Sequence, residues 1–356
     1  MEKKVLFVDY VKGIAIILMV LLHSSRWIES GYVGHLVCLF HMPIFFVVSG
    51  FCFKQKYIND PKGFLIKRIR GLWYPYVKFG LLFLVLHNIF YYMHIYDSHY
   101  GSYTSVTSKL YSISDYLLQL QRVIRMVGTE QLLGGYWFLH ALFYASIISF
   151  IVIKYSRGRI ILGGVLLILS MVFAYFEIII PFWGVDSKAV LGSFFFFMGY
   201  TLRNNKKIWS VSSNKYFYLL TLLFVPFVAW FLPSSMPTMS FEKIIPYTIS
   251  ALLASASLLT LTSRINMNSS KIHHFINYVG SHTLSILTWH FLSFKVVSLI
   301  IIMIYDLPIQ QLAYYPSIQE FSTRGWWLAY TIAGVIMPLC LFLIYKRLKT
   351  YQNAHL

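Results

Sequence analysis

Acidic residues are scarce in this sequence: 12 Asp and Glu stand against 30 Lys and Arg in a chain of 356 residues. Charged residues make up only 12% of the chain, whereas hydrophobic residues make up 58%. A soluble domain of this size cannot bury so much apolar side chain, so the composition excludes a soluble globular protein. We therefore expect an all-α, polytopic membrane bundle that forms a single domain over residues 1–356.

Cysteine is also rare, and metal-binding spacings are missing. The three cysteines lie in apolar runs and show no pairing pattern, so nothing indicates a disulfide framework. Four histidines within apolar segments lack a spacing such as His-Glu-x-x-His, and we therefore expect no metal site. These residues are Cys38, Cys52 and Cys340, together with His23, His41, His140 and His290.

The chain lacks a small-x-small cleavage site after its first apolar run, and Asp9 and Lys12 interrupt that run. We therefore expect a retained first membrane helix and not a cleaved signal peptide. An internal repeat with a period of about 20–50 residues is also missing, so nothing indicates a repeat architecture.

Long apolar runs are what the sequence has in abundance. A spanning helix needs about 20 mostly apolar residues. Ten segments approach this length, and they predict about ten transmembrane helices. The segments are residues 6–25, 33–53, 72–93, 136–153, 160–177, 189–202, 216–232, 244–262, 284–304 and 325–345.

The connections between these segments alternate in charge. One set holds 21 of the 30 Lys and Arg residues and the other set holds 7, while Lys78 and Lys295 lie inside helices. Since basic loops are retained on the cytoplasmic side, both termini should be cytoplasmic. Because the charge is spread over membrane-proximal turns, we expect membrane lipids and not nucleic acid as partners. The 94–135 loop should lie outside, with a short amphipathic helix within residues 114–128.

The first helix carries polar residues within "DYVKGIAIILMVLLH", residues 9–23. Lys12 and His23 are eleven residues apart, which at about 100° per residue places both on one face, about 16 Å apart along the axis. Asp9 precedes Lys12 by one helical turn and is positioned to form an ion pair with it. Ionisable groups inside a span usually face the bundle interior and mark a function. The alternative is that Asp9 and Lys12 lie at the cytoplasmic interface and His23 bonds a neighbour.

This stretch resembles the opening signature of the acyltransferase 3 family, in which a basic residue is followed, after ten residues, by histidine. Five further stretches resemble family motifs in the family's order, and together they extend over most of the chain. They are "FHMPIFFVVSGF" (40–51), "FLIKRIRGLWYPY" (64–76), "GGYWFLHALF" (134–143), "FFFFMGYTL" (194–202) and "HTLSILTWH" (282–290).

Three positions depart from the family's pattern. The family more often has Arg where this chain has Lys12, and it often has Arg where this chain has Leu72. Many relatives carry a carboxylate pair just after the tryptophan, whereas residues 140–142 here are His, Ala and Leu. This places the chain nearer the branch that resembles sugar O-acetyltransferases of surface glycans.

The resemblance implies a multi-pass enzyme of the bacterial inner membrane that moves an acyl group, usually acetyl, from acetyl-CoA to a hydroxyl. The acceptor would be a cell-surface saccharide or its lipid-linked precursor. Attack of an alcohol on a thioester needs a base, and an imidazole suits that task. We predict that His23 is this base or a transient acyl carrier. Lys12 and Asp9 complete the predicted catalytic set, with Lys12 either guiding the anionic end of the donor or neutralising Asp9.

Coenzyme A carries several phosphate charges and would approach from the cytoplasm. Lys67, Arg68 and Arg70 are the candidate cations for binding these phosphates. The alternative explanation for this basic stretch is the retention of positive loops in the cytoplasm alone.

Four more residues are candidates for the wall of the substrate cavity. They are His41, Ser49, Trp137 and His290. Each has an alternative: His41 as a satisfied structural histidine, Ser49 as a small residue for close helix packing, and Trp137 as an interfacial belt residue. A polar group at His290, inside a helix, needs a partner.

A second class of function stays open at this point. A transporter or flippase of a glycan or small molecule would also have many helices with buried His and Lys. The lack of internal duplication argues against it. An acyltransferase that modifies a protein or a lipid is a third possibility.

The charge asymmetry generates a test of topology. A C-terminal green fluorescent protein fusion should fluoresce, and a C-terminal alkaline phosphatase fusion should be inactive, because the last basic segment is cytoplasmic. Fusions placed after residue 98, in the acid-containing loop, should give the reverse pattern. An active phosphatase at the C-terminus would contradict the predicted orientation.

Overall fold

The computed structural model describes residues 6–100, 109–156, 159–265 and 270–354. Within these ranges the regular elements are helices, apart from an isolated bridge between Ile180 and Val185. Seventeen α-helices follow one another: α1 Leu6–Ser24, α2 Arg26–Ser30, α3 Tyr32–Cys38, α4 Pro43–Phe51, α5 Pro61–Arg68, α6 Tyr74–Tyr92, α7 Ile113–Ile124, α8 Trp137–Ser156, α9 Ile161–Tyr175, α10 Ser187–Asn204, α11 Lys206–Ser212, α12 Lys215–Phe231, α13 Ile244–Thr262, α14 Lys271–Ser281, α15 Thr283–Tyr305, α16 Gln319–Phe321 and α17 Trp327–Ala354. The expected all-α fold is confirmed.

All ten apolar segments predicted from the sequence coincide with helices, but they do not all have the length of a span. Seven stretches of the described residues are long and apolar enough to cross a membrane, which makes this a multi-pass membrane protein. An eighth is counted if α11 and α12, bent by 64° at their junction, form one broken span. Helix α9 has only 15 residues, and α10 is packed inside the bundle. The number ten and the orientation stay predictions.

Glycines let two pairs of helices approach to backbone contact. A Cβ atom at Gly50 of α4 would meet the carbonyl oxygen of Phe196, and one at Gly199 of α10 would meet the carbonyl oxygen of Val47. Helices α1 and α14 cross in the same way, because a Cβ at Gly280 would meet the carbonyl oxygen of Asp9. Association by close packing over small residues is typical of membrane helices, where lipid tails supply no hydrophobic driving force.

The 94–135 loop contains the helix expected within residues 114–128. This helix, α7, begins at a capping box formed by Ser112 and Asp115. It runs antiparallel along α6: the Tyr111 N–H donates to Asn88 Oδ1 (2.8 Å) near one end, and the Trp73 indole N–H donates to the Ile124 carbonyl (3.0 Å) at the other. The loop is therefore fastened along α6 over most of the length of that helix.

A buried polar pair closes the same loop onto α6. His87 Nδ1 lies 2.8 Å from Glu130 Oε2, and its other ring nitrogen, Nε2, donates to the Lys109 carbonyl (3.0 Å). Both side chains are almost completely buried. The pair fixes the segment that leads into α8, and so fixes the position of the residues at the start of α8.

The contact between α4 and α10 generates a test of stability. Gly199→Ala should lower the free energy of unfolding by about 1–3 kcal/mol, because the added methyl group must displace the backbone of α4. Gly164→Ala in α9 is the matched control: its Cβ meets no atom within 4 Å, so the change should be neutral or stabilise the helix by up to about 1 kcal/mol. Thermal unfolding of the purified variants in detergent measures both, and equal melting temperatures would contradict the packing argument.

Candidate active site

A cavity of about 260 Å³ lies inside the bundle, along α1. Five of the residues that the sequence singled out line it: Lys12, His23, His41, Ser49 and Trp137. Most of the remaining wall is apolar, with side chains from α1, α4, α8 and α15. The structure therefore brings together candidate residues from three separate sequence motifs.

The cavity has two ends that differ in charge. The Phe7 and Phe51 rings are in contact, with centroids 5.9 Å apart, so the start of α1 lies beside the end of α4. Ser49 thus lies towards the level of Lys12, and His41 lies within electrostatic reach of His23. We call the first end, near Lys12, the Lys12 end. The second end is lined by Glu29, Ser235 and Pro237, and we call it the Glu29 end.

His23 of α1 is hydrogen-bonded to His290 of α15. His23 Nδ1 and His290 Nε2 are 3.1 Å apart, and the two rings are stacked with centroids 5.3 Å apart. His290 is completely buried, and its Nδ1 lies 3.0 Å from the Ile286 carbonyl and 3.1 Å from the Leu287 carbonyl. His290 thus has the partner that a polar side chain inside a membrane helix needs.

The hydrogen bonds of His290 determine which nitrogen of His23 is unprotonated. A carbonyl only accepts, so His290 Nδ1 must carry the proton that it donates to its own helix. A buried imidazolium without a carboxylate partner is costly, so both rings are neutral at rest. His290 Nε2 then accepts the proton of His23 Nδ1, which leaves the lone pair on His23 Nε2. A histidine at a cavity wall with Nε2 unprotonated can take a proton from a hydroxyl.

Aromatic rings hold this pair in place. The Phe291 ring stacks on His23, with centroids 4.9 Å apart, and lies 3.9 Å from the centroid of His290. Two residues before His290 in α15, the Thr288 hydroxyl is hydrogen-bonded to Tyr136 (2.7 Å). The imidazoles are therefore packed on one side and hydrogen-bonded on the other, which limits their rotation.

Lys12 and Asp9 form an ion pair at the Lys12 end. Lys12 Nζ lies 2.7 Å from Asp9 Oδ1, and Asp9 is buried against α14. Lys12 also lines the cavity, whereas Asp9 does not. The ion pair expected from the spacing of Asp9 and Lys12 is therefore present, and the cation borders the cavity.

The basic segment predicted to bind phosphates lies outside the cavity but adjoins the Lys12 end. Arg68 packs its guanidinium over the rings of Phe64 (5.0 Å) and Phe196 (5.4 Å), and Lys67 and Arg70 are exposed. Gly71, which follows Arg70, lines the cavity.

The cations of this segment lie near those around Lys12. The charges of Lys12, Lys67 and Arg203 all act on the thiol of Cys52, which places the three cations around one point. The assignment of Lys67, Arg68 and Arg70 to phosphate binding stays a prediction.

Other polar residues are satisfied within the fold. His41 Nδ1 donates to the Val37 carbonyl (2.9 Å), so this ring is both a structural histidine and a part of the cavity wall. His140 bonds the Trp183 carbonyl (2.9 Å). Lys295 neither reaches the surface nor lines the cavity, because its Nζ donates to the carbonyls of Leu312 (2.9 Å) and Tyr314 (2.7 Å).

Sequence reasoning missed Glu29 and the buried pair of His87 and Glu130. Glu29 follows His23 by six residues and is one of only 12 acidic residues, so its position was a usable signal. His87 also lies in an apolar segment, so it could have been considered together with the other histidines in such segments. Within the described ranges, no group of three or more His, Cys, Asp or Glu residues is placed to hold a metal ion.

Comparison with known proteins identifies the family. The family model of the acyltransferase domain, acyltransferase 3, matches residues 5–346. The chain therefore belongs to the acyltransferase 3 family and is an acyltransferase, as its motifs predicted. No curated protein and no solved structure matches the chain.

The paired histidines generate a test of how His23 is positioned. His290→Leu should lower kcat by at least about tenfold, since His23 Nδ1 loses its acceptor and its proton-accepting nitrogen is no longer determined. His290→Gln should restore part of kcat, because the amide oxygen can accept the same hydrogen bond. The KM values of both substrates should change little. Equal kcat values for the two variants, at equal thermal stability, would contradict the positioning role.

Proposed function

We propose that this acyltransferase transfers an acetyl group from acetyl-CoA to a hydroxyl of a cell-surface saccharide or of its lipid-linked precursor. The observation that carries the proposal is His23, held with Nε2 unprotonated at the wall of a cavity that has a cation at one end. The cavity separates a place for an anionic donor from a place for an acceptor. Acyl transfer between the two needs a base where they meet.

The donor enters at the Lys12 end, which we place on the cytoplasmic face of the inner membrane. The nucleotide of acetyl-CoA stays outside the bilayer, where Lys67, Arg68 and Arg70 supply positive charge for its phosphates. The pantetheine arm then runs past Lys12 towards His23. Lys12 and His23 lie about 16 Å apart along α1, a distance that an extended arm can bridge.

The chemistry at His23 is the attack of an alcohol on a thioester. His23 Nε2 removes the proton of the acceptor hydroxyl, and the oxygen attacks the thioester carbonyl. His290 Nε2 accepts the hydrogen bond from Nδ1 of the imidazolium that forms, which keeps its orientation. When the carbon–sulfur bond breaks, the imidazolium returns the proton to the thiolate, giving free coenzyme A and the acetyl ester. Asp9, through its ion pair, holds Lys12 beside the path of the donor.

The other predicted cavity residues have supporting roles in this proposal. Ser49 of α4 and His41, in the turn between α3 and α4, line the donor path, and Trp137 presents an indole to the acceptor. Indole faces pack against sugar rings, which favours a saccharide over a protein or lipid hydroxyl.

The proposal is tested by transfer of radiolabel from acetyl-CoA. Purified protein in liposomes should label a saccharide acceptor, and His23→Ala should lower kcat about 10²–10⁴-fold, the contribution of a positioned general base. His99→Ala, an exposed histidine outside the cavity, is the matched control and should keep wild-type activity.

Two other results would decide between alternatives. A protein that becomes acetylated on His23 when the acceptor is withheld would show that His23 carries the acyl group and is not only a base. Movement of unmodified saccharide across the bilayer, with no label transferred, would contradict the proposal and support transport.

A further inference from the structure

The cavity separates charge along its length. Of the described residues that line it, Lys12 and Glu29 are the only ones among Lys, Arg, Asp and Glu, and they lie at opposite ends with His23 between them. Lys67 and Arg203 add positive charge near the Lys12 end, beyond the ion pair of Lys12 with Asp9. An anionic molecule is therefore attracted to this end and repelled from the Glu29 end. The Glu29 end therefore suits a molecule that differs in charge from the donor.

Glu29 is positioned by the break between α1 and α2. The Ser24 carbonyl, at the end of α1, accepts hydrogen bonds from the hydroxyls of Ser317 (2.9 Å) and Ser322 (2.6 Å). These bonds fasten the chain where it leaves α1, and the five-residue helix α2 follows at once. Glu29 is thus carried on an anchored segment.

The carboxylate of Glu29 points to the cavity without a hydrogen-bonding partner among the residues that the structure describes. It makes no ion pair or side-chain hydrogen bond with the described part of the chain. Its charge acts on the Cys38 thiol, which also lines the cavity, and on the hydroxyl of Tyr315. Partial burial raises the pKa of Glu29, against a lowering effect of Arg26. The residue is nevertheless exposed where it borders the cavity, so its carboxylate oxygens are open to hydrogen-bond donors of a molecule that enters there.

Two further groups in the cavity wall complement this carboxylate. Trp137 lines the cavity, and its indole N–H has no hydrogen-bond partner among the residues that the structure describes, although a tryptophan usually finds one. Ser235, held by a hydrogen bond to Thr238 (2.8 Å), brings a hydroxyl from the connection between α12 and α13. Carboxylate oxygens that accept from hydroxyls, together with an indole face, match the donors and the C–H surface of a sugar ring.

We propose that the Glu29 end is the acceptor subsite, and that Glu29 makes it specific for uncharged saccharides over anionic ones such as hexuronates. This inference rests on the proposed function, because it assumes that the second substrate is a saccharide. Two neighbouring hydroxyls of a neutral sugar donate to the two oxygens of Glu29. The carboxylate of a uronate is repelled by the same charge. Glu29 determines specificity and does not touch the reacting atoms.

The experiment compares matched acceptors with the whole protein in liposomes. The probes are methyl glycosides of hexoses and the corresponding methyl hexuronides, and the readout is acetyl-CoA-dependent release of the free thiol. Wild-type protein should prefer the neutral member of each pair. Glu29→Gln should reduce the ratio of the two kcat/KM values by at least about fivefold, because the repulsion is lost. Its KM for acetyl-CoA should stay unchanged, since the donor occupies the other end.

The matched control is Glu320→Gln. Glu320 is an exposed carboxylate paired with Arg324 (2.7 Å) and does not line the cavity. The Glu320→Gln substitution removes one negative charge from the surface. It should leave the ratio of the kcat/KM values for the neutral and the anionic acceptor unchanged.

Three results are decisive. A wild-type enzyme that uses both members of a pair equally, or prefers the uronide, overturns the inference and leaves the proposed function standing. If the ratio of the kcat/KM values is the same in Glu29→Gln and in the wild type, the inference is also overturned and the proposed function is unaffected. If no glycoside supports thiol release above hydrolysis while a protein or lipid acceptor does, the saccharide acceptor is wrong, and the inference falls with it.

Discussion

The hydrogen bond between His23 and His290 is the contact on which the chemistry of this protein depends. Two imidazoles inside an apolar bundle would be costly to bury if their nitrogens lacked partners. The carbonyls of Ile286 and Leu287 take one proton of the pair, and they cannot turn, because they belong to helix α15. The chain of donors and acceptors therefore ends at His23 Nε2. The fixed backbone carbonyls of α15 thus determine that Nε2 is the nitrogen of His23, on α1, that accepts a proton.

The cavity exists because the surrounding helices are packed closely in some places and loosely in others. Glycines bring α4 against α10 and α1 against α14, so these helix pairs are tightly packed. Near the Lys12 end, Gly71 lies in a π-helical turn, residues Ile69–Trp73, and a Cβ there would meet no atom within 4 Å. Such turns are frequent at functional sites, since they interrupt regular packing.

Much of the arrangement along single helices could be predicted from the sequence. The helical period placed Lys12 and His23 on one face, and the structure has both at the wall of one cavity. The ion pair between Asp9 and Lys12 followed from their spacing as well. The contacts between helices could not be predicted in this way. Lys295 was placed inside a helix, but its bonds to carbonyls of a loop that follows the same helix appear only in the structure.

Composition and periodicity determined by themselves that this is a membrane protein, which stretches of the chain form its apolar helices, and which side chains share a helix face. These properties are local, because each depends on residues within one or a few turns. The partner of His23 lies 267 residues away along the chain. Only the tertiary structure decided this pairing, the protonation that it imposes and the opposite charges at the two ends of the cavity. They depend on which helices pack together, and the spacing within a single helix contains no information about that.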